Sequence, residues 1–398
     1  MPDVSHESDR DFLHRAVALA MKGRGRVEPN PMVGCILAKN NQAIAEGWHG
    51  VFGGPHAEIA ALAECRESPA GATAYVTLEP CCHTNKKTPP CVPALIAARV
   101  KRVVVGCLDP NPQVNGRGVT QLREAGIEVE DADDSRCRQL LAPFIANTIH
   151  RRPYVTLKWA QTADGKVAGA GGARIRISND RSHRIIHELR GRCDAILVGI
   201  GTAKADDPLL VARGVPSARP LARIVIDSDL RLSMDSQLVR TIDRGQVEIF
   251  CSKEAAKFSG TRAVLAACGV RIHAISSDSP GRLNLNDLLQ QLGSQGVSHL
   301  LVEPGPMLAA SFLGAALWDR AWVFRSPLAL SEPTAPAAPP IPSNAVKIAD
   351  ATIDGDILTE YLNPAAAYAG PFGSADFEVT FSQTKKGETE PVPPRTSP

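Results

Sequence analysis

Residues 73–100 read TAYVTLEPCCHTNKKTPPCVPALIAARV. The stretch begins with a strand-like apolar run, continues through a loop with three cysteines and one histidine, and ends in a helical pattern. Strand and helix patterns go on alternating in both directions, from about residue 10 to a helical stretch near 135–148. Such alternation predicts an α/β fold with a largely parallel sheet. The cysteine loop would then join a strand to a helix.

A second α/β region begins near residue 151, where the proline in HRRPYV precedes a new strand. Its strand patterns include YVTLKWA, DAILVG, RIVIDS, VEIFCS and HLLVEPG, and its helical patterns include RSHRIIHELR and MLAASFLGAAL. We therefore predict two domains, at residues 9–150 and 151–383. Residues 332–343 are too rich in proline and alanine for a regular element, and residues 384–398 have the composition of a disordered tail.

The composition argues against several classes of protein. The chain has 398 residues and 44% apolar composition, and its formal net charge of +2 gives no general attraction to nucleic acid or anionic membranes. The polar start MPDVSHESDRDF does not fit a secretion signal, and no segment approaches the run of about 18 apolar residues that a membrane span needs. We expect a cytoplasmic protein whose ten cysteines are reduced thiols. A local cysteine cluster in such a protein suggests a metal site.

Two short motifs together point to zinc chemistry. GGPHAEIAAL (53–62) places His56 and Glu58 at the start of a predicted helix, and Cys81 follows Pro80 in the cysteine loop. His-x-Glu followed by Pro-Cys and a further cysteine is the pattern of zinc nucleobase deaminases. One imidazole and two thiolates leave a fourth position on zinc for water, whose pKa the metal lowers. We expect Glu58 to act as the general acid and base that moves the proton of that water.

The loop offers three thiols for two ligand positions. Cys91 opens the next helix after two prolines, so the choice lies between Cys81 and Cys82, and we favour Cys81. Cys82 would then be a small packed thiol. His83 could replace a thiolate, although a solvated loop histidine is the simpler interpretation. A closed structural zinc site is the alternative to catalysis, but such a site has no need of Glu58 beside its histidine.

The chain as a whole resembles one family, the bifunctional riboflavin-biosynthesis deaminase/reductases. The resemblance is carried by EPNPMVGC (28–35), GWHGVFGGPHAE (47–58), TLEPC (77–81), TPPC (88–91) and DPNPQVNGRG (109–118), and it extends to about residue 325. It implies a cytidine-deaminase-like three-layer αβα domain followed by a dihydrofolate-reductase-like α/β domain. It also implies Zn2+ and NADPH as cofactors, although no short motif separates NADPH from NADH.

For the first domain, the resemblance implies deamination of 2,5-diamino-6-(5-phosphoribosylamino)pyrimidin-4-one, a phosphoribosylaminopyrimidine. It places Asn30 and His49 in the substrate pocket. On residue type alone His49 could be a packed histidine at the end of a strand, but we favour the pocket. The loop between the metal cysteines is one residue longer than is usual in the family. Either Lys86 or Lys87 would therefore take the family's basic position, a cation that suits a phosphorylated substrate.

For the second domain, the resemblance implies NADPH-dependent reduction of the ribosyl group to ribityl. The stretches VTLKWAQTADGKVA, DAILVGIGTAKADDPLL, RIVIDSDLRL and LLVEPGPMLAASFL carry it. The residues expected to border the cofactor are Ala160, Arg176, Thr202, Asp206, Ser228, Gly305, Pro306 and Met307. The last three would receive its phosphates, as helix N-termini do. The residues expected to meet the substrate are Arg174, Arg190, Leu210, Arg213 and Glu303.

GAGGARIRIS (169–178) departs from the family pattern. Arg174 stands at the usual position of a serine on the substrate side, and Arg176 at that of a tryptophan beside the nicotinamide. A long cation in place of a flat indole changes both stacking and charge near hydride transfer. The alternative function is therefore a deaminase whose second domain is degenerate and only helps to assemble the protein.

Two hypotheses from other classes have less support. A deaminase that edits a polynucleotide would need a basic groove, which the balanced charge does not favour. A non-enzymatic zinc module would have no use for Glu58. We expect a small-molecule substrate, no nucleic acid or membrane partner, and a homo-oligomer, either a dimer or a tetramer.

Overall fold

Two central β-sheets, one in each half of the chain, organise the protein. The computed structural model describes residues 8–83, 89–112, 114–215, 219–257, 259–279 and 281–366. Lys86 and Lys87, the predicted domain end at 383 and the predicted tail 384–398 lie outside the described residues. None of the described helices combines the length and the apolar character needed to cross a membrane.

The N-terminal half consists of a five-stranded sheet with helices on both faces. Its elements are α1 (Asp9–Ala20), β1 (Gly34–Lys39), β2 (Gln42–Trp48), α2 (Ala57–Glu64), β3 (Thr73–Val76), α3 (Cys91–Ala97), β4 (Arg102–Val105), α4 (Arg117–Glu124), β5 (Glu128–Asp131) and α5 (Ser135–His150). The strand order is β2-β1-β3-β4-β5. One apolar cluster lies between the sheet and α1 with α5, and a second lies between the sheet and α2, α3 and α4. The layers are therefore αβα, as predicted.

The expectation of a largely parallel sheet is wrong for this half. Strand β1 runs antiparallel to both of its neighbours, and only the β3–β4 and β4–β5 pairs are parallel. The physical reason is the turn between β1 and β2, where Asn40 and Asn41 both have positive φ, of 50° and 59°. Two asparagines between apolar strands form the kind of tight turn that closes a β-hairpin.

The C-terminal half contains a nine-stranded sheet. Its elements are β6 (Tyr154–Gln161), α6 (Asp180–Arg190), β7 (Ala195–Gly199), α7 (Ile200–Asp206), β8 (Ala222–Ile226), α8 (Gln237–Arg240), β9 (Val247–Ser252), α9 (Ser259–Ala267), β10 (Arg271–Ile275), β11 (Ser277–Ser279), β12 (Arg282–Leu283), α10 (Leu285–Ser294), β13 (His299–Val302), α11 (Pro306–Gly314), β14 (Arg320–Arg325), β15 (Val346–Ile353) and β16 (Asp356–Leu362). The order in the large sheet is β10-β9-β8-β7-β13-β6-β14-β16-β15. Seven neighbouring strands of this sheet are parallel: β10, β9, β8, β7, β13, β6 and β14. Their carboxyl ends therefore share one edge of the sheet.

The last two strands complete the sheet beyond an irregular segment. Residues 326–345 contain no helix or strand, and this stretch includes the predicted irregular residues 332–343. Strand β16 then pairs antiparallel with β14, and β15 with β16. The sequence patterns did not predict this hairpin, because β15 is largely exposed and lacks a continuous apolar run.

Candidate active sites

Three predicted metal ligands come together in the N-terminal half. His56 directly precedes α2, Cys81 lies in the loop after β3, and Cys91 is the first residue of α3. The sulfur atoms of the two cysteines are 3.4 Å apart. Nδ1 of His56 lies 3.5 Å from the Cys81 sulfur and 3.3 Å from the Cys91 sulfur.

Backbone contacts between the two cysteine segments hold this cluster in place. The carbonyl of Cys81 accepts hydrogen bonds from the backbone N–H groups of Cys91, at 3.0 Å, and Val92, at 3.2 Å. The first turn of α3 is thus capped by the residue that supplies the other thiol. Pro90, just before the helix, has the extended backbone that suits a helix start.

The donor set fits zinc. A tetrahedral zinc ion with bonds of about 2.3 Å to sulfur and about 2.0 Å to nitrogen holds its ligand atoms roughly 3.5–3.8 Å apart, close to the distances between these three atoms. Among the described residues, this group of possible ligands contains only His56, Cys81 and Cys91. Three protein ligands are the number found in catalytic zinc sites, whereas structural sites usually have four.

The other two candidates in the loop lie elsewhere. Cys82 packs against the apolar cluster beneath α2 and α3 and does not line the cavity described below. His83 does line that cavity but is not part of the ligand group. The structure thus brings Cys81, and not Cys82 or His83, to the cluster.

Glu58 lies in the first turn of α2 and is only 3% exposed. Burial, followed by the effect of the nearby Cys81, raises the pKa of its carboxyl. Its neighbour in the cavity wall, His49, is held by two hydrogen bonds. Nδ1 of His49 donates to the Pro55 carbonyl at 2.8 Å, which leaves Nε2 to accept from the Asn30 amide at 3.2 Å. Burial lowers the pKa of His49, in keeping with a neutral ring.

These side chains line a cavity of about 350 Å3. Its walls also carry residues to which the sequence patterns assigned no role: Phe52, Leu78, Asp109, Asn111, Val114 and Phe144. Asp109 and Asn111 belong to the motif DPNPQVNGRG, which could have pointed to them. The cavity is large enough for a small organic molecule.

Glu79 anchors the loop that carries Asp109 and Asn111. The buried carboxylate accepts four backbone hydrogen bonds, from the N–H groups of Asp109 (3.2 Å), Gly116 (2.9 Å), Gly118 (2.9 Å) and Val119 (3.2 Å). A Cβ at Gly118 would lie 2.2 Å from the Pro80 carbonyl oxygen, so only glycine fits there. The sequence patterns missed this role of Glu79.

In the C-terminal half, Arg190 and Glu303 form a largely buried ion pair with two hydrogen bonds of 2.8 and 2.7 Å. Glu303 directly follows β13, and Arg190 ends α6. Burial alone would raise the pKa of Glu303, but the charges of Arg190 and Lys158 lower it to about 2. Lys158 was not predicted. Its strand position in β6 gave no signal, and burial lowers the pKa of its amine.

Leu210 and Arg213 lie close to this pair. The carbonyl of Val211 accepts a hydrogen bond from Arg190 at 3.2 Å, which ties the segment to α6. Leu210 is buried and has a φ of 49°. Arg213 is exposed and contacts His187. Burial and the charges of Arg190 and Arg213 lower the pKa of His187 to about 4.

The predicted phosphate-binding segment begins α11. Gly305 precedes the helix with extended backbone, Pro306 is its first residue, and Met307 is 86% exposed. A Cβ at Gly305 would lie 3.3 Å from the hydroxyl oxygen of Thr202, so the predicted Thr202 lies beside this helix start.

The remaining predicted residues are less closely grouped. Arg174 is exposed and donates to the Asp206 carbonyl at 3.4 Å, while Ala160 is half-buried near the end of β6. Arg176 is 60% exposed and pairs with Asp180 at the start of α6. Ser228 is buried, and its hydroxyl donates to the Gly281 carbonyl at 3.0 Å.

Two family models match the chain, one in each half. Residues 6–107 match the cytidine and deoxycytidylate deaminase zinc-binding region, and residues 153–354 match the RibD C-terminal domain.

Several curated proteins are similar along most of their length. The riboflavin biosynthesis protein RibD of Actinobacillus pleuropneumoniae is 41% identical, over 80% of this chain and 84% of that protein. RibD of Aquifex aeolicus is 38% identical, over 82% of this chain and 89% of the relative, and RibD of Escherichia coli is 37% identical, over 80% and 88%.

Solved structures with the same architecture include two similar proteins. RibD of Acinetobacter baumannii is 33% identical with a TM-score of 0.75, covering 89% of this chain and 98% of that one. The diaminohydroxyphosphoribosylaminopyrimidine deaminase/5-amino-6-(5-phosphoribosylamino)uracil reductase of Thermotoga maritima is 33% identical with a TM-score of 0.76, with the same coverage.

Proposed function

The chain belongs to the RibD family of riboflavin-biosynthesis proteins, and from this premise we propose which of its residues carry out the two reactions. The protein is a bifunctional enzyme of riboflavin biosynthesis, a zinc-dependent deaminase joined to an NADPH-dependent reductase. The alternative of a deaminase with a degenerate second domain is not favoured, because the reductase region matches its family across residues 153–354.

For the deaminase, we propose that His56, Cys81 and Cys91 hold the zinc ion. When bound there, zinc lowers the pKa of water and so supplies a nucleophile at neutral pH. Glu58 would take one proton from the water and deliver it to the pyrimidine ring nitrogen as the C–O bond forms. It would then carry the second water proton to the amine, which leaves as ammonia when the C–N bond breaks. One water is consumed, and the C–NH2 group becomes a carbonyl with release of ammonia.

Asn30 and His49 orient the pyrimidine ring in this proposal. The Asn30 amide nitrogen is held by His49, whose ring is held in turn by the Pro55 carbonyl. This chain of hydrogen bonds fixes the Asn30 side chain at the cavity wall, where its carbonyl oxygen can accept a hydrogen bond from an amino or ring N–H group of the substrate.

For the reductase, we propose that NADPH lies across the carboxyl edge of the large sheet and supplies a hydride when bound. The start of α11 at Gly305, Pro306 and Met307 receives its phosphates. The residues that border the rest of the cofactor are Ala160, Arg176, Thr202, Asp206 and Ser228. The residues on the substrate side are Arg174, Arg190, Leu210, Arg213 and Glu303.

On the substrate side, charge suggests a division of roles. Arg174 and Arg213 are exposed cations, which suit a phosphate group. Glu303 stays ionised beside Arg190 and can accept hydrogen bonds from sugar hydroxyl groups.

The observation that carries the proposal is the convergence of His56, Cys81 and Cys91 beside the buried Glu58 in one cavity. The test supplies the phosphoribosylaminopyrimidine with and without NADPH. We expect ammonia release in both cases and loss of nicotinamide absorbance only when NADPH is present. NADPH that stays unoxidised after deamination is complete would remove the reductase assignment, and no release of ammonia would remove the deaminase assignment.

We also propose a cytoplasmic location and a homo-oligomer, either a dimer or a tetramer. All ten cysteines are free thiols, as expected in a reducing compartment. Support for the oligomer comes from the family resemblance alone, and sedimentation velocity of the purified protein tests it.

A further inference from the structure

A second cavity, of about 160 Å3, lies between the two halves of the chain. We name it the interdomain cavity. It is lined on one side by residues of α1, α5 and the segment 24–32, and on the other by residues of α6, β6, β14 and the segments 192–194 and 298–299. Asn30, Pro31 and Phe144 also line the deaminase cavity, so the two cavities share a wall.

Four arginines line the interdomain cavity. Two of them have partners: Arg320 pairs with Glu360 at 2.6 Å, and Arg136 contacts a ring nitrogen of His14 at 3.1 Å. The side chains of Arg24 and Arg192 make no hydrogen bond or ion pair with any of the described residues. Arg24 comes from the N-terminal half and Arg192 from the C-terminal half, so each half contributes one unpaired guanidinium.

The acidic groups of the cavity do not balance these charges. Asp194 is occupied by Arg219 and by the backbone N–H groups of Ser298, at 2.7 Å, and His299, at 3.0 Å. Glu28 accepts a hydrogen bond from the Gly25 N–H at 2.9 Å. The lining therefore has four cationic and two acidic side chains.

The surroundings of His299 and Arg24 agree with a positive potential. Burial, followed by the charges of Arg320, Arg24 and Arg192, lowers the pKa of His299 to about 3, so its ring is neutral. Burial and then the charge of Arg192 lower the pKa of Arg24 to about 10. Glu28 lies near Arg24 and Glu188 near Arg192, and their charges oppose this lowering, but neither carboxylate forms an ion pair with these arginines. Two like charges that face one cavity are stabilised when an anion binds there.

We propose that the interdomain cavity is an anion site that binds the phosphate group of a small molecule between Arg24 and Arg192. Guanidinium groups bind phosphate oxygens through paired, charge-assisted hydrogen bonds. The rest of the wall includes the apolar side chains of Met32, Leu140 and Trp322, which can contact the organic part of a phosphate ester. The bound anion links the two halves of the chain, because each supplies one of the cations.

The first test measures thermal unfolding in chloride and in phosphate at equal ionic strength, and again with glycerol phosphate. The variants are R24Q and R192Q, and the controls are R66Q and R262Q, whose arginines are exposed on the two halves. We expect phosphate to stabilise the wild type and both controls, and each variant to bind at least about tenfold more weakly. In chloride, R24Q and R192Q should be at least as stable as the wild type, because each change removes one of two repelling charges.

The result in chloride separates binding from a structural role. Arginines that only support the fold would make both variants less stable in chloride and leave the phosphate effect intact, and that result overturns the proposal. A larger shift with glycerol phosphate than with phosphate identifies an ester as the preferred ligand, and equal shifts identify free phosphate.

The second test locates the anion directly. Crystals soaked in tungstate, an electron-dense phosphate analogue, should show an anomalous peak between Arg24 and Arg192 that disappears in R24Q. Tungstate bound at other sites but not between these two arginines would contradict the proposal.

Discussion

One carboxylate oxygen of Glu79 accepts a hydrogen bond from the backbone N–H of Gly118 at 2.9 Å, although 39 residues separate the two. The same carboxylate binds three further backbone N–H groups of the segment 109–119. Glu79 lies two residues before the proposed zinc ligand Cys81 and therefore connects the metal loop to the loop that carries Asp109 and Asn111. Its role is to position those side chains in the cavity wall.

Replacing Glu79 with glutamine should weaken this connection. The amide has one acceptor oxygen and turns an NH2 group toward backbone donors, so buried N–H groups lose their partners. We expect the free energy of unfolding to fall by about 2–3 kcal/mol. The KM for deamination should rise, while zinc content stays unchanged. E124Q, at an exposed position of α4, is the control and should behave as the wild type.

Replacing Glu58 with glutamine should remove the proton carrier and keep the side-chain volume. We expect unchanged zinc content and a deamination rate lower by about 10²–10⁴-fold. NADPH oxidation with deaminated substrate should be unaffected, since Glu58 lies in the other half of the chain. E64Q changes an exposed glutamate of the same helix and should keep full activity. Deamination at the wild-type rate in E58Q would remove Glu58 from the mechanism.

The Arg190–Glu303 pair predicts that the effect of each residue on the free energy of unfolding depends strongly on the presence of the other. R190Q leaves a buried carboxylate without its cation, so the free energy of unfolding should fall by about 3–5 kcal/mol. Adding E303Q to R190Q should recover part of this loss. R184Q breaks an exposed pair with Glu188 on the same helix and should cost less than about 1 kcal/mol. Equal losses in R190Q and R184Q would show that the buried pair does not stabilise the reductase half.

The lowered pKa of Glu303 also predicts that the free energy of unfolding depends on pH in the acid range. Its pKa falls from an ordinary value of 4.5 to about 2, so its stabilising effect is fully present above about pH 4.5 and is lost as pH falls toward 2. The difference in unfolding free energy between wild type and E303Q should be constant at neutral pH. It should decrease by roughly 3 kcal/mol across this acid window. Chemical unfolding at a series of pH values measures it, and a difference that does not change with pH would contradict the assignment.

The strands and helices that surround the metal cluster could be predicted because their apolar patterns are local. The sequence also predicted the three metal ligands, His56, Cys81 and Cys91. Each belongs to a short local motif at a junction between a strand or loop and a helix. The antiparallel position of β1 was missed, although Asn40 and Asn41 signal a hairpin.

Other features depend on contacts between distant segments and have no local pattern. The four backbone partners of Glu79 lie 30 to 40 residues away in the sequence. Arg24 and Arg192 come close to each other only when both halves of the chain have folded. Lys158 is similar: it lies in the inner strand β6, and its neighbour Glu303 follows β13, which is distant in sequence. Contacts of this kind can be identified only in the folded structure, where the sheets bring the distant segments together.

Zinc content of the wild type, C81S and C82S tests the central claim most directly. Cys81 is part of the ligand cluster and Cys82 packs against apolar side chains, although the two are adjacent. We predict about one zinc ion per chain in the wild type and in C82S, and loss of most of the metal in C81S. Zinc that stays bound in C81S but is lost in C82S would contradict the account.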